Sequence, residues 1–462
     1  MVHKTKRGDG TMKQIAAIIT VVALIFSCAA VCVVTAEPLR GDVDGNGTIN
    51  MKDLLTLRKI VAELLPLSDE LSADVSSDGA VNLKDVLALR RLLSQNEATA
   101  VTSRLPLPSA DDELRGVWLA YYEVASLYKS TPSATKAAID SAFDTCRDFG
   151  INTVFFHVRA YSDAYYDSAI FPQTAQTKAL LSQGFDPLSY AIEAAHSRGM
   201  ALHAWLNPYR VGKSENAVCT DTFVFDSKVY YSPASETVRK TLLAGIEEIL
   251  ENYNVDGIHF DDYFYPSGIP STVQSFDLGY TAKSGNLADW RRAQVTAFVK
   301  RACTLTHALN PNARFGISPA GNVQSDRDTL YADVETWLST PGCVDYLCPQ
   351  IYYGFQNGAS PFSETVRRWA ALPRANGVKL YVGLAVYKAG LLEDPWARDG
   401  KTEWATGGDI LARQVADVRR ADGVFGFALF SFRHLTGSGF SDPFDQTVMQ
   451  KELNALKQAV TA

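Results

Sequence analysis

The sequence predicts an α/β fold, a (β/α)8 barrel with a small all-α module in front of it. Three features of the 462 residues carry this. A loop rich in Asp, Asn and Gly, followed by a helical pattern, occurs twice near the front. From residue 114 onward, short apolar runs alternate with amphipathic segments eight times, the pattern of parallel strand–helix units. No glycine-rich dinucleotide fingerprint or P-loop follows the first of these runs, which removes the main argument for an open doubly wound sheet.

The repeat comes first in the chain. Residues 41–53 (GDVDGNGTINMKD) return 32 positions later as 73–85 (ADVSSDGAVNLKD), and helical patterns follow over 54–65 and 86–93. Calcium takes six to eight hard oxygens, and a tight loop with a glycine at its sixth position turns alternate side chains inward. The first ligand set is Asp42, Asp44, Asn46, the Thr48 carbonyl, Asn50 and Asp53. The second is Asp74, Ser76, Asp78, the Ala80 carbonyl, Asn82 and Asp85, with Ser76 predicting a weaker site. A single Asp/Gly-rich stretch is usually just a turn. Two matched copies with matched helices argue for two bound calcium ions. Over residues 40–95 the unit resembles a type I dockerin. It has no helix before each loop and ends the loop on Asp where ordinary EF-hands carry Glu. That resemblance implies a cohesin module of a cellulosome-type scaffold protein as partner.

Residues 1–36 read as an export signal: Lys4, Lys6, Arg7 and Lys13, an apolar run over 15–34, then Val34-Thr35-Ala36 before Glu37. The run is long enough to span a bilayer if left uncleaved. With it removed no stable membrane span is expected, and the chain is expected to be secreted, extracellular or held on a cell-surface scaffold. Residues 96–113 lose periodicity and gain Ser, Thr, Pro and acids, a linker composition. The remaining 114–462 form the barrel. A net charge of −7 argues against a nucleic-acid partner. Five cysteines lie beyond the signal without a CxxC pair, so neither a disulfide framework nor a zinc site is indicated.

The expected strands are 116–120, 153–158, 201–206, 257–260, 314–318, 346–351, 380–385 and 424–430. Chemistry in such barrels sits at the carboxyl ends of the strands. There the sequence places Tyr121, Tyr122 and Glu123; His157, Arg159 and Asp163; His203, Trp205, Asn207 and Arg210; His259, Asp261, Asp262 and Tyr263; Ser318; Gln350 and Tyr352; Tyr387; and Arg433. Acids, amides, arginines and aromatic faces on one rim are the composition of a sugar site.

Glycoside cleavage ordinarily uses two carboxyl groups. Strand alternation puts His259 and Asp261 on the inner face, and Asp262 follows one residue past the strand. Adjacent carboxyls in a confined site push their pKa values apart, which suits acid/base division. Asp261, Asp262 and Asp163 are therefore the candidate catalytic residues, with Asp326, Asp328 and Glu123 as further options for the second carboxyl. Glu393 and Asp394 are weaker options. Arg159, His203, Trp205, Asn207, Arg210, His259, Tyr263, Gln350 and Tyr352 are the candidate substrate-binding residues. Structural readings compete: Asp163 can pair with Arg159, Asp262 can cap a loop, and Trp205 can be packing.

Leu114-Arg115-Gly116-Val117-Trp118, the run 203–210 (HAWLNPYR), the run 256–266 (DGIHFDDYFYP), Gly316-Ile317-Ser318-Pro319 and the run 345–352 resemble the glycosyl hydrolase-like 10 family over about 113–440. The resemblance implies a TIM barrel with glycoside hydrolase activity; the barrel's relatives favour cell-wall glycan and the dockerin favours plant polysaccharide, and no catalytic cofactor is expected. Strand four also resembles the nucleophile strand of α-amylase-like barrels, an analogy that favours Asp261. His157 stands where relatives often have Gln, and Tyr352-Tyr353 where Tyr-Trp is common. A non-catalytic carbohydrate-binding barrel displayed on a cohesin scaffold is the alternative reading.

Overall fold

The computed structural model describes residues 39–93 except 62–65, 68, 83, 87, 90 and 91, together with 105–109 and 111–462 except 441 and 442. The expected export signal and residues 96–104 of the expected linker lie outside these. The chain divides into two compact units, 1–95 and 96–462.

In the first unit each loop leads into a helix, the first being Met51–Val61. Leu57, Ala73 and Leu89 are fully buried and, with Val43, Leu54, Val86 and Leu93, form a core of its own. Gly41 N donates to Ser72 O at 2.8 Å, joining the two copies.

The second unit is a barrel. Its parallel strands are β1 (Leu114–Leu119), β2 (Thr153–Arg159), β3 (Ala201–Leu206), β7 (Gly257–Phe260), β8 (Arg314–Ile317), β9 (Tyr346–Leu347), β10 (Lys379–Leu380), β11 (Val382–Ala385) and β12 (Gly426–Phe430). Neighbours run in the order β10-β9-β8-β7-β3-β2-β1-β12-β11. β10 and β11 are the two halves of the seventh barrel strand, interrupted at Tyr381. The first half pairs with β9 and the second with β12, and the bridge between Gln350 and Gly383 carries the ladder round the ring. The predicted sixth strand over 346–351 is thus a short strand plus isolated bridges.

The strands are apolar on both faces because both are covered. Outward residues such as Val154, Leu202, Ile258 and Phe315 join the helix layer, whereas Trp118, Phe155, Trp205, Tyr346 and Tyr381 fill the barrel interior. Glycines make room for the largest inner rings. A Cβ at Gly316 would fall inside the Tyr346 ring, and one at Gly257 would stand 2.7 Å from His203 Nδ1. At the barrel's lower end, Asp256 accepts Leu202 N at 2.7 Å and pairs with His196 at 2.8 Å. Asp345 repeats the device with Phe315 N at 2.6 Å and His307 at 2.9 Å. Each His–Asp pair ties a helix end to a strand start.

One element was not anticipated. Between β3 and the helix Glu236–Asn252, three short strands, β4 (Arg210–Gly212), β5 (Thr222–Phe225) and β6 (Lys228–Tyr231), form an antiparallel sheet in the order β4-β6-β5. Asp226 and Ser227 turn the β5–β6 hairpin, both at positive φ.

Candidate functional site

At the carboxyl ends of the strands opens a cavity of about 320 Å³. Asp261, Arg210, Asn207, Gln350, Tyr263 and Tyr352 lie on its wall, with Trp118, His157, Trp205 and Arg433.

Asp261 enters because β7 alternates: Ile258 and Phe260 pack outward, so His259 and Asp261 face in. Its Oδ1 accepts Gln350 Nε2 at 2.8 Å and the Asp262 amide at 2.9 Å. Burial raises the Asp261 pKa above the usual carboxylate range, while these hydrogen bonds and the charge of Arg210 oppose the rise. The Asp262 pKa is raised as well, by burial and by the charge of Asp261, with which its carboxyl shares a hydrogen bond.

Behind Asp262 lies Asp326, fully buried. Its Oδ1 accepts Ala320 N at 2.9 Å, and its Oδ2 has no protein partner. Burial and the nearby Asp262 carboxylate push its pKa well up.

Several predicted site residues fall elsewhere. Arg159 is buried away from the cavity, its guanidinium 4.6 Å from the Phe171 ring. A bulge shifts the β2–β3 register between His157 and Arg159, so Arg159 pairs with Leu206 and shares its outward face. His203 and His259 face inward, and neither lines the cavity. His203 pairs with Gly257, one layer beneath the Trp205–His259 pair. Tyr346 OH bonds His203 Nδ1 at 2.8 Å and His259 Nδ1 at 3.0 Å, and Trp118 Nε1 donates to His259 Nε2 at 3.2 Å. Burial pushes the His203 pKa down to about 3 and that of His259 well below its usual value, so both rings are neutral. They are part of the barrel core.

Trp205 is on the wall, but His157 stacks on its indole at 3.7 Å and covers one face. Asn207 donates to Ala160 O at 3.2 Å, and its Oδ1 has no protein partner. Asp163 faces a neighbouring cleft. Glu123 is committed to structure, accepting Ala120 N, Ser431 Oγ and Arg433 N at 2.6–2.8 Å and locking the ends of β1 and β12 together. Asp394 is held by Lys388 at 2.6 Å, and Glu393 by Lys401 at 3.0 Å.

Trp118, Phe430 and His434 line the cavity without having been proposed. The run 430–434 (FSFRH) at the end of the eighth strand was the signal for two of them. Trp118 was hidden as an apparent core residue.

In the first unit, carboxylate oxygens of Asp42, Asp44 and Asp53 lie within 4.8 Å of one another, as do those of Asp74, Asp78 and Asp85. The loops are built alike. Asp42 accepts Asn46 N and Gly47 N, as Asp74 accepts Asp78 N and Gly79 N. Asp53 accepts Asp44 N and Asn50 N, as Asp85 accepts Ser76 N and Asn82 N. Ser76 Oγ is buried without a protein partner. Converging oxygens with no nitrogen or sulfur fit a hard divalent cation. Cys303, His307 and Asp345 also converge within 4.8 Å. His196 and Asp256 make the same tie without a cysteine, so that group reads as structure.

The family model described as Glycosyl hydrolase-like 10 matches residues 113–398, and that described as Dockerin type I domain matches residues 40–94. Glycosyl hydrolase YngK of Bacillus subtilis is 30% identical over 363 residues, covering 71% of this chain and 69% of that protein. Glycosyl hydrolase DigH of Escherichia coli is 30% identical over 345 residues, covering 62% and 77%. The glycoside hydrolase domain of PgaB (BpsB) from Bordetella bronchiseptica superposes with a TM-score of 0.49 at 14% identity, covering 76% of this chain and 99% of that one.

Proposed function

Because the chain belongs to the glycosyl hydrolase-like 10 family and carries a dockerin type I domain ahead of the barrel, we propose that it is an exported glycoside hydrolase that cleaves O-glycosidic bonds of a polysaccharide. The dockerin, holding two calcium ions through the residues of its two loops, attaches it to a cohesin on a scaffold.

The observation that carries the barrel's part is Asp261 on the cavity wall, its carboxyl held by Gln350 at 2.8 Å and by the Asp262 amide at 2.9 Å. Asp262 is not on the cavity wall and tunes Asp261 through the hydrogen bond their carboxyls share. Asp261, steadied by Gln350, presents a carboxylate to the positive charge that develops at the anomeric carbon. Arg210, Asn207, Tyr263 and Tyr352 bind hydroxyls and ring faces.

One observation favours the non-catalytic, carbohydrate-binding reading: Asp261 is the only carboxylate among the described residues on the cavity wall. Incubating the full chain with purified peptidoglycan, peptide-stripped glycan strands and plant polysaccharides separates the two. New reducing ends on one of these support hydrolysis and name the substrate. Tight retention of one glycan without any new ends favours the binding barrel.

A further inference from the structure

Beside the mouth cavity lies a second cleft of about 650 Å³, roughly twice its volume. Both volumes fall in the roughly 300–1,000 Å³ range of ligand sites. The two spaces share Tyr121 and Arg210. The guanidinium of Arg210 stands 4.5 Å from the Tyr161 ring, which lines the cleft, and 4.3 Å from the Tyr263 ring, which lines the mouth. Arg210 Nη2 also donates to Tyr161 OH at 3.0 Å. One cation thus forms the boundary and lines both spaces.

The far wall is the inserted β4–β6 sheet, which supplies Gly212, Lys213 and Lys228 to Tyr230. The opposite wall is the segment 172–176, with Gln173 and Gln176. Aromatic rings beside amides and cations match the flat apolar faces and hydroxyl edges of sugar rings. Asp163 supplies a further polar anchor. Its Oδ1 is buried without a protein partner, an acceptor that a ligand hydroxyl would satisfy.

We propose that this cleft binds the sugar units of a polymer that continue past the cleaved bond, so that the enzyme cuts within chains instead of trimming single units from an end. This rests on the hydrolase reading above. The mouth cavity alone would serve a trimming enzyme, whereas a larger cavity sharing two side chains with it serves a longer chain. The inserted sheet is then a specificity element, and Asp163 is a binding residue.

The test uses two variants away from the mouth: Tyr230→Ala, which removes a ring from the cleft, and Gln176→Trp, which fills it from an exposed helix position. Long and short size fractions of the glycans in the panel are the probes. Both variants are expected to raise KM for the long fraction about tenfold and to leave turnover of the short fraction unchanged. In an Asp261→Asn background, both are expected to weaken retention of the long fraction in affinity electrophoresis by the same factor. Equal effects on long and short fractions, or none on either, overturn the proposal. No new reducing ends from the unaltered chain on any fraction, with long-fraction retention still weakened by both variants, would instead remove the hydrolase reading and leave the cleft's binding role standing.

Discussion

Gln350 holds Asp261: its Nε2 donates to Asp261 Oδ1 at 2.8 Å and also reaches Ser318 O at 3.0 Å. This bond favours the charged carboxylate against burial. Gln350→Leu is therefore expected to raise the Asp261 pKa and move the acid limb of the kcat profile upward. The loss should be about tenfold on that limb and smaller toward alkaline pH. A uniform loss across pH would mean that Gln350 acts on the substrate and not on Asp261.

Asp326 makes an opposite, structural prediction. Its pKa is raised in the folded chain, so the native state binds a proton that the unfolded chain has released above about pH 4. Stability from this group therefore falls as pH rises from about 4 through the folded-state pKa. Asp326→Asn, which keeps an acceptor for Ala320 N and carries no charge, should raise the thermal midpoint, and more at pH 8 than at pH 5. An equal shift at both pH values would contradict the burial argument.

Barrel integrity depends on inner glycines. A Cβ at Gly316 collides with the Tyr346 ring, which is also the bridge between His203 and His259. Gly316→Ala should destabilise the barrel by about 3 kcal/mol and lower its thermal midpoint by several degrees. An unchanged midpoint would show that the Tyr346 ring has room to move.

Calcium removal should act on the first unit. The clustered carboxylates of Asp42, Asp44 and Asp53, and of Asp74, Asp78 and Asp85, repel one another without a cation. Chelation is expected to abolish retention on a cohesin column, and added calcium to restore it. The barrel's thermal midpoint should not move, since its core is separate. Retention that survives chelation would contradict the metal assignment.

How much of this was readable from the sequence depends on the physical signal. The outward faces of the barrel strands are unbroken apolar runs, so Val154, Ile258 and Phe315 announced their strands. Asp261 was placed by alternation within one strand, and the two acidic loops by a repeat of the same spacing 32 residues on. Arg159 was misplaced because a one-residue bulge reverses its face, and nothing local in 157–159 signals it. His203 and His259 were misplaced because alternation gives a face and no depth. Only the register to Gly257 shows that His203 lies a layer too low. The β4–β6 sheet went unseen because its hairpin turns through Asp226-Ser227, without the Asn-Gly or Asp-Gly that marks such turns.

The most direct test of the central claim is the turnover of Asp261→Asn against the unaltered chain on whichever panel glycan is cleaved, with equal folding checked by circular dichroism. The account predicts a loss of at least about a thousandfold, the effect of removing a charge aimed at the transition state. Turnover within about twofold of the unaltered chain would contradict it and send the chemistry to another carboxyl.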